Sequence, residues 1–150
     1  MKYFLIALTM IITASVSNAQ TAEDSVKSVI NRLFEGMKQA DTAMIRSCFA
    51  SNMVMQTISR SNDGNVLILN VSPANFLSVI AGEAKGNADE RITFEVVKTD
   101  GPLAMVWTPY QFYYKGQFSH CGVNSFQLVR FEGRWKVQYL IDTRRRQGCH

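Results

Sequence analysis

The sequence predicts an α+β domain in which helices come first and a curved antiparallel sheet follows. Three observations carry that prediction. An apolar stripe at helical spacing runs through residues 22–40. Ser72-Pro73 is an N-cap followed by Pro at the first helical position, which opens a later helix. From residue 91 onward, Asp-Gly, Lys-Gly and Glu-Gly pairs punctuate long apolar-rich runs, the mark of a β-meander. At 150 residues, 47% hydrophobic and 19% charged, the chain suits one compact domain and excludes disordered, collagen-like and disulfide-miniprotein classes.

The elements follow in chain order. Lys2, an apolar run from Tyr3 to Val16, and small residues at Ser17-Asn18-Ala19 have the order of a secretory signal peptide. The run is shorter than the roughly 20 apolar residues of a membrane span. Residues 1–19 are therefore expected to be cleaved, leaving residues 20–150 as one exported domain, periplasmic or extracellular in a bacterium and free of the membrane. Ala22 to Ala40 is an amphipathic helix with Val26, Val29, Ile30, Leu33, Phe34 and Met37 on one stripe. Asp41 caps a short helix, Thr42 to Phe49. Met53 to Ser59 and Val66 to Val71 are strands around a turn at Asn62-Asp63-Gly64-Asn65, and the third helix runs from Pro73 to Ala84. The meander comprises Arg91–Lys98, Leu103–Tyr114, Phe118–Phe131 and Arg134–Thr143.

Charge and cysteine usage narrow the function. The net charge of +4 invites a nucleic-acid reading. Arg144, Arg145 and Arg146 account for most of it, however, and no basic stripe covers the sheet, so no nucleic-acid partner is expected. Three cysteines in an oxidising compartment allow at most one internal disulfide, and the pairing among Cys48, Cys121 and Cys149 stays open. Their spacing fits no metal motif. There is no Walker loop, GxGxxG, HExxH or GxSxG, so neither a metal nor a cofactor is expected.

Counting register outward from two-residue turns places paired residues on shared faces. The count gives an inward face with Ile92, Phe94, Val96, Met105, Trp107, Gln111, Tyr113, His120, Asn124, Phe126, Leu128, Trp135, Val137, Tyr139 and Ile141. Thr108, Cys121, Gln138 and Asp142 fall on the other face, unless a bulge near Pro109 or Gly122 intervenes. An apolar face with a few convergent polar groups is the signature of a small-molecule site. The candidate ligand residues are Trp107, Gln111, Tyr113, His120, Asn124 and Tyr139.

The arrangement of helices, inserted hairpin and meander resembles the nuclear transport factor 2-like superfamily. That superfamily includes SnoaL-like polyketide cyclases, ketosteroid isomerases and scytalone dehydratases. The stretches FEGMKQADTAMIRSCFASNM, VWTPYQFYYKGQFSHCGVNSFQLVRFEGRWKV and IDTRRRQGC are most similar to a secreted bacterial lumazine-binding-like subfamily. The resemblance implies a cone-shaped sheet wrapped around a long helix, a pocket at the open end, and a homodimer through the sheet's outer face. Ketosteroid isomerases use a first-helix Tyr and two pocket carboxylic acids. Residues 22–49 lack Tyr and the counted inward face lacks Asp and Glu, which disfavours that chemistry. Dehydratases and cyclases use His with Asp. His120 is the candidate general base, and Asp142 reaches it only if a bulge turns it inward. The leading expectation is a binding protein for a small hydrophobic or aromatic molecule. The alternatives are a SnoaL-like cyclase, dehydratase or isomerase built on His120, and a ligand-free interaction module.

Overall fold

A computed structural model describes residues 21–149 of the chain. The signal peptide expected at residues 1–19 lies outside the described residues. Helix α1 (Ala22–Lys38) starts at Thr21, whose hydroxyl accepts the Asp24 amide, and it buries Val26, Ile30, Leu33, Phe34 and Met37. Helix α2 (Thr42–Cys48) is capped by Asp41, which accepts the Met44 amide at 2.8 Å. It packs closely on α1 because Gly36 has no side chain: a Cβ there would lie 2.7 Å from Ile45 Cγ1. Helix α3 (Pro73–Ala81) begins at Ser72 and buries Leu77 and Ile80.

Seven strands form one sheet: β1 (Phe49–Arg60), β2 (Val66–Val71), β3 (Ala88–Ile92), β4 (Val96–Asp100), β5 (Leu103–Tyr114), β6 (Gln117–Phe131) and β7 (Arg134–Arg145). Their order is β2-β1-β7-β6-β5-β3, with β4 also paired to β5. The sheet is curved and unclosed, and it is mixed because β1 lies parallel to β7. This corrects the all-antiparallel expectation, which had no way to see that the early hairpin joins the meander. The single strand expected over Arg91–Lys98 is two strands, β3 and β4, with an irregular step at residues 93–95. Val97 pairs with the buried Val106, while Val96 turns outward beside Trp107.

Two bulges overturn the counted register. Lys115-Gly116 and Glu132-Gly133 form tight turns with positive φ at both residues, as the sequence pattern requires. Tyr114 then faces Gln117, and Phe131 faces Arg134, as expected. One residue further, Tyr113 pairs with Phe118 but Phe112 pairs with His120, so Ser119 is an extra residue in β6. Ala104, Val106, Thr108, Tyr110 and Phe112 therefore share the face of His120, Asn124 and Phe126. Met105, Trp107, Gln111 and Tyr113 lie on the opposite face, correcting their expected placement. In β7, Leu128 pairs with Val137 but Gln127 pairs with Tyr139, so Gln138 is extra. That turns Leu140, Asp142 and Arg144 inward, and Tyr139 and Ile141 outward.

The core lies between α1 and the inward face. Val26, Ile30, Ile45, Val106, Phe126, Leu128 and Val137 have no exposed surface. Phe34 meets Phe126 edge-on at 6.1 Å. Cys121 and Cys149 form a disulfide that ties the C-terminal segment to the outer side of β6, and Cys48 is a buried free thiol.

Candidate functional site

Where the core thins toward one end of α1, a cavity of about 250 Å³ remains. Its walls are mostly apolar. Leu33, Phe34 and Met37 come from α1, and Phe76, Val79 and Ile80 from α3. Met55 and Val71 from the first hairpin, Phe112 from β5 and Leu140 from β7 complete the apolar part. The polar lining on the meander side is Glu90, Tyr110, His120, Asn124, Asp142 and Arg144.

Register explains how these groups converge. Glu90 pairs with Phe112, Phe112 with His120, and Asn124 with Asp142, so adjacent strands deliver them to one face. Asn124 Nδ2 donates to Glu90 Oε1 at 2.7 Å. Tyr110 donates to the Thr143 carbonyl at 2.9 Å and lies 3.3 Å from Asp142 Oδ2. Arg144 Nε donates to that same Oδ2 at 2.9 Å. Gly122 makes this crossing possible: a Cβ there would lie 1.8 Å from the Thr143 carbonyl oxygen and 2.8 Å from the Tyr110 ring.

The electrostatics follow from burial. No ion pair to Glu90 forms among the described residues, and burial, with a smaller contribution from the Asp142 charge, outweighs the Asn124 hydrogen bond and the Arg144 charge. The Glu90 carboxyl is pushed up from 4.5 to about 7. Burial, together with the negative charges of Asp142 and Glu90, raises the Tyr110 phenol far above its ordinary range, so it acts only as a neutral donor. His120 sits 5.0 Å from the Phe112 ring and 5.8 Å from the Tyr110 ring, with Nδ1 3.0 Å from Ser119 Oγ. Burial and the Arg144 charge lower its pKa, which keeps the imidazole neutral near pH 7. The cavity thus presents a neutral imidazole, a carboxyl poised near neutrality, an amide and a phenol against an apolar wall.

Of the residues chosen from sequence, His120, Asn124 and Asp142 line this cavity. Trp107 and Tyr113 do not: Trp107 is 40% exposed on the outer face, and Tyr113 lies under the Arg91 guanidinium at 4.0 Å. Gln111 accepts from the Tyr113 hydroxyl, and Tyr139 donates to Gln56 Oε1. The sequence pattern does not single out Glu90, Tyr110 or Arg144, which also line the cavity. Glu90 lay one residue before the expected strand start, although Ala88-x-Glu90-x-Ile92 alternates in phase with that strand. The inward face therefore does carry two carboxyls, Glu90 and Asp142, contrary to the expectation that it has none.

Three helices packed against an open, curved, mixed sheet, with the first hairpin between the second and third helices, give this chain the nuclear transport factor 2-like fold. The likeness to particular solved structures is one of shape. A nuclear transport factor 2-like protein of unknown function from Shewanella baltica is 17% identical, over 81% of this chain and 91% of that one, at a TM-score of 0.62. A second from Silicibacter pomeroyi is 15% identical, over 81% and 93%, at 0.63. A protein of unknown function with a cystatin-like fold from Nostoc punctiforme is 13% identical, over 85% and 95%, at 0.65. No protein-family model matches the sequence, and no curated protein matches it.

Proposed function

We propose that this chain is an exported small-molecule-binding protein whose ligand is a compact apolar or aromatic molecule with one polar edge. The observation that carries the reading is the cavity, apolar on the α1 and α3 side and polar on the meander side. Its 250 Å³ lies below the roughly 300–1,000 Å³ of drug-sized sites, which favours one or two fused rings. The resemblance of its motifs to a lumazine-binding-like subfamily, read from the sequence alone, makes pteridines the first probe set. Export is supported by the N-terminal pattern and by the Cys121–Cys149 disulfide, which suits an oxidising compartment. A homodimer through the outer face is supported by the exposed Leu103, Met105, Trp107 and Phe131. The test is calorimetric titration with pteridines and with naphthalene-sized aromatics. Saturable binding lost in Ile80→Trp, which fills the cavity, supports the proposal. Absence of binding across both sets removes it.

A second reading is acid–base catalysis on such a ligand. It is favoured by Glu90, held near pH 7 on the same wall as His120. Deuterium exchange into small cyclic ketones, followed by proton NMR, tests it. Exchange that disappears in Glu90→Gln or His120→Ala supports the reading, and exchange at the buffer rate in the wild type removes it.

A further inference from the structure

Asp89 and Asp142 are buried carboxylates, and each has its own cation. Asp89 takes Lys38 Nζ at 3.3 Å and Arg91 Nη2 at 3.0 Å, and Asp142 takes Arg144 Nε at 2.9 Å. Glu90, which lines the cavity, is different. It forms no ion pair among the described residues. Its Oε1 accepts from Asn124, and its Oε2 makes no hydrogen bond among those residues. A carboxylate held away from water with no countercharge is costly, so this one is a place for a cation to bind.

The groups around Glu90 leave its charge uncompensated. In the cavity Asp142 and Arg144 offset each other, and Tyr110 and His120 are neutral near pH 7. Helices α1 and α3 and the first hairpin bring no charged group to the cavity. Glu90 also borders a cleft along α1 with Arg32, Glu35 and Lys38. There Lys38 is bound to Asp89, Arg32 to Ser47 and Glu35 to Gln39. Phe112 is the ladder partner of Glu90 and shares its face, and Phe34, Phe76 and Tyr110 line the same cavity. Aromatic rings attract cations, and a carboxylate holds them through charge-assisted hydrogen bonds.

We propose that the ligand is a small organic cation, an aromatic amine or amidine, with its ring on the apolar wall and its N–H groups on the Glu90 carboxylate. This rests on the binding reading above and names the class of ligand. In the free protein a proton balances Glu90, which is why the carboxyl sits at about 7. The ligand's positive charge replaces that proton: Glu90 releases it to solvent, and the carboxylate then accepts an N–H from the ligand. An acid would stand beside Glu90 and Asp142 with only Arg144, already engaged, to receive it.

The experiment is calorimetry with 2-naphthylmethylamine and with 2-naphthylmethanol, its uncharged counterpart, in two buffers of different ionisation enthalpy. At pH 8 the amine is expected to bind at least about tenfold more tightly than the alcohol, the return of one charge-assisted hydrogen-bond set. At pH 6 its binding is expected to release about 0.9 proton per chain, and the alcohol's none, because a carboxyl at about 7 is then mostly protonated. In Glu90→Gln the preference is expected to fall to about twofold or less and the proton release to vanish, with a cooperative urea transition showing that the variant is folded. Equal affinities in the wild type, binding of the amine without proton release, or a preference or release that survives in Glu90→Gln overturns the cation site and leaves the cavity reading intact. The wild-type proton count decides the matter even where the variant does not fold. Failure of both probes to bind overturns both.

Discussion

Glu90 is the group whose behaviour is most sharply set by the structure. Its carboxyl accepts from Asn124 and forms no ion pair among the described residues, and burial pushes it up from 4.5 to about 7. A carboxyl that is harder to ionise in the folded chain favours folding most when protonated. Its contribution is complete below pH 4.5, falls as the pH rises, and is lost above about pH 7. At 1.36 kcal/mol per tenfold change in proton affinity, the whole span is about 3.4 kcal/mol. Partial exposure at the cavity lets water screen some of this, leaving about 2 kcal/mol between pH 5 and pH 8. Glu90→Gln keeps the Asn124 hydrogen bond and cannot ionise. Urea unfolding at both pH values checks the prediction. With a slope of about 2 kcal/mol per molar, the wild type should lose about 1 M in midpoint relative to Glu90→Gln on going from pH 5 to pH 8. Parallel midpoints for the two proteins across that range would refute the reasoning, because His120 and the surface groups titrate in both.

Three further outcomes follow from packing and covalent structure. Gly122→Ala places a methyl against the Thr143 carbonyl and the Tyr110 ring, and is expected to cost about 3 kcal/mol or more in urea unfolding, since backbone must move. Cys149→Ser opens a loop of sequence separation 28 and is expected to lower stability by up to about 3.5 kcal/mol, with reduction of the wild type giving the same midpoint. Cys48 is 2% exposed and its thiol pKa is raised by burial, so a native sample should show no reaction with a thiol reagent and an unfolded, unreduced sample one thiol per chain.

The parts of the fold legible in the sequence are those set by local chemistry. The α1 stripe, the Asp41 and Ser72 caps and the two left-handed turns before β6 and β7 each follow from a few adjacent residues. The candidate site depends instead on strand parity, and parity was hidden for a physical reason. Strand β5 carries Ala104, Val106 and Phe112 on one face and Met105, Trp107 and Tyr113 on the other, so hydrophobicity does not distinguish inside from outside. The bulges at Ser119 and Gln138 leave no compositional mark, yet each inverts every residue beyond it. The inward side of His120 and Asn124 is legible because they lie on β6 in phase with the buried Phe126 and Leu128. An unbroken count through Gln138 puts Asp142 outward, and the extra residue there turns it inward. The parallel pairing of β1 with β7 joins residues more than 80 positions apart and has no local signal at all.

The central claim is that a small apolar molecule enters the cavity between α1, α3 and the inward face. Methionine methyl groups report on it directly, because Met37 and Met55 line that cavity while Met105 is 39% exposed on the outer face. The measurement is a methyl spectrum of methionine-labelled protein titrated with 2-naphthylmethanol. Saturable shifts at Met37 and Met55, with Met105 unmoved, are the predicted result. Shifts confined to Met105, or none at saturation of the probe's solubility, would contradict the account.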